Sequence, residues 1–278
     1  MKVAVLQLAL GGDVDANVAR ASELVAEAAG RGAQLALLPE LFASRYFPRT
    51  IGREAFALAE APASSRAVQT MRLLARAYEI VLPVSYFERD GEQYYNSVVV
   101  FDADGSELGR YRKSHIPDGS GYEEKAYFAP GDTGFRVFPT RYGRIGVGIC
   151  WDQWFPECAR AMTLLGADLL LYPSAIGSEP TRAEHDTQPA WRRVMIGHAV
   201  ANTIPLAASN RVGDEDGQVF YGSSFLADGR GEIVAQLDRE EQGVALTELD
   251  LDAWRAEREW FGLLRDRRPE LYGKLVER

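Results

Sequence analysis

The sequence predicts an α/β protein in which two packed mixed sheets lie between outer helices. Three observations carry that prediction. Strand and helix patterns follow one another as βα, βα and several β, and this order then recurs, so the chain reads as two similar halves. The predicted strands are near-continuous apolar runs, which suit sheets covered on both faces. No linker or low-complexity stretch divides residues 1–278, which are therefore expected to form one domain.

In chain order, Lys2 to Leu10 reads as a strand, and not as the apolar core of a secretion signal. Asp13 to Gly30 reads as a helix, with an apolar stripe through Val14, Val18, Leu24, Val25 and Ala28. Gln34 to Leu38 is a short apolar strand that Pro39 ends. Ser64 to Tyr78 is a second helix, capped by Ser64 or Ser65. Strands follow at Ile80 to Phe87 and Gln93 to Phe101. The Ala103-Asp104-Gly105 turn then leads into Glu107 to Tyr111. A long polar loop, Lys113 to Gly134, is expected to be functional, because compact domains seldom keep such loops as connectors. Phe135 to Pro139 and Arg144 to Ile149 form a hairpin. Glu157 to Gly166 and Pro189 to Asn202 are helices, each followed by a strand, at Asp168 to Tyr172 and Pro205 to Ser209. Ser223 to Ala227, Ile233 to Gln236 and Val244 to Leu249 complete the strands, and Leu251 to Leu264 is a last helix before a charged tail.

Bulk properties narrow the function. Hydrophobic residues make up 46% and charged residues 26%, as in ordinary globular proteins. With 31 basic and 40 acidic side chains, the net charge is −9, which argues against a nucleic-acid partner. No run of 18 apolar residues is present to span a membrane. The two cysteines, Cys150 and Cys158, form neither a CxxC pair nor a disulfide framework, which fits a cytoplasmic location.

Three strand ends stand out. Glu40 follows the apolar run Leu35 to Pro39, Lys113 follows the strand that ends at Tyr111, and Cys150 follows Arg144 to Ile149. Singly, such residues are usually a cap, a solvated charge and a core thiol. Strand ends on one sheet edge converge on one crevice, however. A thiol, a carboxylate and an ammonium meeting there form a hydrolytic set. The carboxylate takes the thiol proton, the sulfur attacks a carbonyl carbon, and the ammonium and the Trp151 backbone N–H hold the oxyanion. Competing chemistries lack their motifs. The three histidines, His115, His185 and His198, form no close pair for a metal, and there is no GxSxG elbow, P-loop or GxGxxG turn. His115 reads as a loop residue that lines the pocket or holds a neighbour.

Glu40 in LLPELF, Lys113 in YRKSHIP and Cys150 in GICWDQWFPE resemble the Glu-Lys-Cys triad of the nitrilase (carbon–nitrogen hydrolase) superfamily, and the similarity runs along nearly the whole chain. The resemblance implies a four-layer α-β-β-α sandwich, no metal or organic cofactor, and a homo-oligomer, with residues 255–278 at its interface. It also implies a second glutamate beside the thiol, and Glu124 in GYEEKAYF matches it. Within the superfamily, SHIPDGSGYEEKAYFAPGDTGF, ICWDQWFPECARAM and YPSAIGSEP are most similar to the N-carbamoylputrescine amidases. That likeness implies hydrolysis of a small-molecule substrate, N-carbamoylputrescine, to putrescine, carbon dioxide and ammonia through a carbamoyl-cysteine. Similar N-carbamoyl-D-amino-acid hydrolases carry basic residues just after the cysteine to hold a carboxylate. Here those positions are Asp152, Gln153 and Trp154, so a neutral or cationic tail is expected. Glu179 is the expected acceptor for the substrate's distal ammonium, with Tyr46 and Tyr122 lining the pocket. Two alternatives share the fold: an ω-amidase or β-ureidopropionase-like enzyme using Arg182, Arg192 or Arg193 for a carboxylate, and a scaffold without turnover.

Overall fold

The computed structural model describes residues 1–182 and 184–277. Its strands are β1 (Lys2–Gln7), β2 (Leu35–Leu37), β3 (Leu82–Asp90), β4 (Gln93–Phe101), β5 (Glu107–Arg112), β6 (Val137–Thr140), β7 (Gly143–Val147), β8 (Leu169–Ser174), β9 (Leu206–Asn210), β10 (Val212–Glu215), β11 (Gln218–Tyr221), β12 (Phe225–Ala227), β13 (Ile233–Gln236) and β14 (Gly243–Glu248). Its α-helices are α1 (Val14–Gly30), α2 (Arg66–Tyr78), α3 (Pro156–Leu164), α4 (Gln188–Asn202) and α5 (Leu251–Phe261).

Two sheets pack face to face, as expected. In the first, the ladders β14-β1-β2 and β3-β4-β5 join where the Val81 N–H donates to the Gln34 carbonyl at 2.9 Å and the Ala36 N–H to the Val81 carbonyl at 3.2 Å. The second runs β6-β7-β8-β9-β12-β13. Its successive neighbours pair antiparallel, parallel, parallel, antiparallel and antiparallel. The first sheet, read from β14 to β5, repeats that pattern.

Strand alternation explains why so few strand positions are polar. Val3, Val5, Leu35, Leu37 and Val98 turn inward, into one buried cluster with Ile145, Val147, Leu169, Leu171 and Phe225 of the second sheet. Their neighbours Ala4, Leu6, Ala36, Leu82 and Val99 turn outward, into a second cluster with Val18, Leu24 and Val25 of α1 and Val68 and Met71 of α2. Both faces of the sheet are thus dry, and each fully buried Val or Leu contributes roughly 1.5–3 kcal/mol. On the second sheet α3 packs close, with Met162 against Gly146.

Local chemistry sets the helix ends. Asp13 caps α1 by accepting the Asp15 and Ala16 N–H groups, and Ser65 caps α2 by accepting that of Val68. The hairpin β10–β11 was not expected. Its turn, Asp216-Gly217, has positive φ at both residues (54° and 92°), which suits a two-residue hairpin, but Gly213 and Asp214 give its first strand a loop-like composition. The last helix ends at Phe261, with Gly262 in the left-handed region. Beyond it Leu271, Leu275 and Val276 are exposed, as are Trp260 and Phe261. Arg278, the end of the segment expected at an interface, lies outside the described residues.

Candidate active site

The structure brings Glu40, Lys113, Glu124 and Cys150 into one buried cluster beneath a cavity. Glu40 follows β2, and its own N–H crosses the sandwich to the Ser174 carbonyl at the end of β8 (3.3 Å). Lys113 directly follows β5. Its N–H donates to the Asn96 carbonyl of β4, and its carbonyl accepts the Gly131 N–H, both at 2.8 Å. A Cβ on Gly131 would lie 2.1 Å from the Arg112 carbonyl oxygen, so the long loop returns against the strand end only because that residue is glycine. Cys150 opens a 3₁₀ turn after β7 with φ 40°, a left-handed conformation uncommon for a side chain of its type.

Lys113 organises the charges. Its Nζ donates to Glu40 Oε1 at 2.8 Å and to both oxygens of Glu124, at 2.9 and 2.7 Å, with all three side chains fully buried. Burial opposes the ammonium's charge, but Glu124 and Glu40 outweigh it and hold Lys113 above its ordinary value. Glu124 behaves differently. Burial pushes its carboxyl up to about 7, against the pull of Lys113. The Cys150 thiol is pushed well above its ordinary value by burial and then by Glu40, with Lys113 pulling the other way. At rest the sulfur therefore keeps its proton. Glu40 Oε1 also accepts from Asn96 Nδ2 at 2.6 Å, whereas Oε2 is buried with no partner among the described residues. One oxygen of Glu40 is thus held and the other is free. The Trp151 N–H likewise makes no hydrogen bond among the described residues.

The cavity, about 230 Å³, is lined by Cys150, Trp151 and Glu124, by Pro117 to Ser120 and Tyr122 of the long loop, and by Ile176, Glu179 and Thr181 beyond β8. Its charged lining is acidic: Asp118, Glu124 and Glu179, with no lysine or arginine among the described residues. Burial raises Glu179 above the ordinary carboxylate range, and His185 partly offsets that. Arg182 and Arg193 are exposed and Arg192 half-buried, and none of the three borders the cavity.

Two expectations are corrected. Tyr46 does not line the cavity. It is fully buried, and its hydroxyl donates to Glu124 Oε1 at 2.6 Å. Asp152, Gln153 and Trp154 also stand off the cavity, so their character says nothing of a substrate's tail. The tight turn after Cys150 sends Asp152 inward to His115, Tyr111 and the Ile149 N–H, while Gln153 accepts from Ser174 Oγ. Tyr122 does border the cavity, and its hydroxyl accepts the Gly177 N–H at 3.0 Å.

Some contributors had no separate sequence signal. Arg211 is fully buried. It donates to the Glu40 carbonyl at 2.7 Å and the Leu41 carbonyl at 3.1 Å, and pairs with Glu215, which in turn accepts the Tyr46 N–H at 2.6 Å. Asn96 did leave a trace, as an amide inside the apolar strand Gln93–Phe101.

The fold and site define a class. Residues 2–259 match the family Carbon-nitrogen hydrolase, and the chain belongs to that family. It is 49% identical to an N-carbamoylputrescine amidase of Arabidopsis thaliana, over 99% of this chain and 94% of that one. It is 48% identical to a citrullinase of Francisella tularensis, over 100% of this chain and 99% of the other. Among solved structures, a carbon-nitrogen hydrolase from Helicobacter pylori G27 superposes with TM-score 0.93 at 38% identity, covering 100% of this chain and 99% of that one. Among the described residues, no helix is long and apolar enough to cross a membrane.

Proposed function

We propose that this protein hydrolyses N-carbamoylputrescine to putrescine, carbon dioxide and ammonia, with Cys150 as nucleophile. As Cys150 Sγ attacks the ureido carbon, its proton passes to the free Oε2 of Glu40. The oxygen that gains charge is met by Lys113 Nζ and the Trp151 N–H. Glu40 then protonates the departing nitrogen, the C–N bond breaks, and putrescine leaves a carbamoyl thioester on Cys150. Glu40 next takes a proton from water as the hydroxyl adds to the thioester carbon. The C–S bond breaks, the thiol is re-formed, and carbamate departs to decompose to carbon dioxide and ammonia. Glu124 keeps Lys113 charged and in place, and Tyr46 steadies Glu124. Glu179 receives the distal ammonium, and Tyr122 flanks it. The observation that carries this reading is the cavity above Cys150, whose charged lining is acidic only. Such a wall attracts a cationic tail and repels the lone carboxylate of N-carbamoyl-β-alanine, while citrulline, whose tail carries an ammonium and a carboxylate together, gains less than a purely cationic tail. The same reading makes the enzyme a cytoplasmic homo-oligomer that covers the exposed apolar residues of its C-terminal segment.

Ammonia release tests this. N-Carbamoylputrescine should be turned over far faster than citrulline, N-carbamoyl-β-alanine or glutamine-like ω-amides, and Cys150→Ala should abolish the reaction. Glu179→Gln should raise KM for N-carbamoylputrescine about tenfold while sparing an uncharged N-carbamoylalkane. Preference for a carboxylate-bearing substrate would overturn the assigned tail pocket, and turnover that survives in Cys150→Ala would overturn the nucleophile.

A further inference from the structure

Lys113 and Cys150 stand on different sheets, and among the described residues no hydrogen bond joins their side chains. Something else must fix the distance between ammonium and sulfur. Asp152 lies two residues after Cys150 and is fully buried. Its Oδ2 accepts the Ile149 N–H at 2.9 Å and the Tyr111 hydroxyl at 2.8 Å. Its Oδ1 accepts the His115 N–H at 3.0 Å and lies 2.7 Å from His115 Nδ1. Ile149 immediately precedes the thiol, while Tyr111 and His115 flank Lys113 by two residues on either side. One carboxylate therefore ties the turn that carries Cys150 to the strand end that carries Lys113. The His115 ring is itself held, stacked on Phe155 with centroids 3.7 Å apart and planes 5° apart. Phe155 closes the same turn, its N–H donating to the Asp152 carbonyl at 3.2 Å.

We propose that Asp152 and His115 are positioning residues for the hydrolysis inferred above: together they set Lys113 Nζ against Cys150 Sγ, and they touch no substrate. The inference rests on that functional reading. It also explains why the residue must be a carboxylate. Each oxygen receives two donors, so an amide in its place would turn its NH₂ against two N–H or O–H groups and release one side of the latch.

Four folded proteins test it: native, Asp152→Asn, His115→Ala and His115→Asn, whose amide can replace the Nδ1 donor. We expect kcat for N-carbamoylputrescine to fall about 100-fold in Asp152→Asn and at least about tenfold in His115→Ala, with KM within about threefold of native. His115→Asn should recover most of the loss. The alkylation rate of Cys150 by iodoacetamide, read by mass spectrometry, should move in the same order, and it needs no substrate. Native protein that fails to turn over N-carbamoylputrescine would defeat the functional reading while the alkylation series still judges the latch. Unchanged kcat and alkylation in folded His115→Ala, or equal losses in His115→Ala and His115→Asn, would overturn the latch even if Asp152→Asn does not fold.

Discussion

The two sheets share one strand pattern but supply the site with opposite chemistry. The first sheet contributes charge: Glu40 beyond β2 and Lys113 beyond β5. The second has Ala175 and Ile176, both apolar, directly beyond β8, where the first has Glu40; its one acidic group at the cavity, Glu179, lies further along that connection, away from the Lys113 cluster, and the sheet contributes the thiol beyond β7. The matching connections differ as well. Between β1 and α1 the chain enters its helix through an Asp13 cap, whereas between β7 and α3 it passes through a left-handed Cys150 and a helix start with Pro156 and no side-chain cap. In the proposed reaction, two sheets of one topology thus divide the work: one polarises, the other attacks. A repeated topology fixes where strand ends meet and leaves the residues at those ends free to diverge.

The strongest way to break the comparison is to silence the charged half without disturbing its packing. Glu40→Gln keeps the shape and the Lys113 contact but cannot shuttle a proton. It should lower kcat about 10³-fold or more with little change in Tm, measured by ammonia release and thermal melting. A loss of less than tenfold would mean that the thiol half works alone.

A subtler prediction concerns Glu124. Its pKa in the fold, about 7, lies above the ordinary carboxylate value of 4.5. Between those values the folded protein binds the proton more tightly than the unfolded chain, so this group's contribution is fully present below about pH 4.5 and is lost as pH rises through about 7. Glu124→Gln removes that titration. The Tm of the native protein minus that of the variant should therefore fall between pH 5 and pH 7.5, and a difference that rises would contradict the burial argument.

The smallest effect belongs to the ordinary connection. Asp13→Ala removes two N-cap hydrogen bonds and should cost about 1 kcal/mol in denaturant melts while kcat stays within about twofold of native. A large loss of turnover would show that the first connection, like the second, serves the site.

The layered fold was legible because dry sheets need uninterrupted apolar strands, and those are visible one residue at a time. The same holds for Glu40 and Cys150, each a lone reactive group after such a strand, whereas Lys113 follows the mixed strand Glu107–Arg112 and stands out only by its place at a strand end. What was hidden depends on register between distant segments. Arg211 reaches Glu40 from β9's far end, and Asp152 reaches His115 across 37 positions; neither meeting has a local signature. Asp152 to Trp154 do not face a tail, because the 3₁₀ turn that opens at Cys150 turns Asp152 away from the cavity. The β10–β11 hairpin is hidden although its Asp-Gly turn is a strong signal, since the strand before that turn, Val212–Glu215, has the composition of a loop.

One pairing has a consequence for how the chain is made. β14 hydrogen-bonds to β1 along Lys2–Gln7 and Gly243–Glu248, so β1 leaves the ribosome long before its partner strand is made. Until then β1 keeps an open edge beside a half-built sheet, a template for pairing with another nascent chain. The sheet that holds the charged groups is thus begun first and closed late, whereas β6 to β13 can assemble from a continuous stretch of polypeptide. A ribosome stalled short of Gly243 would carry a chain with every residue of the cluster and a sheet still unclosed.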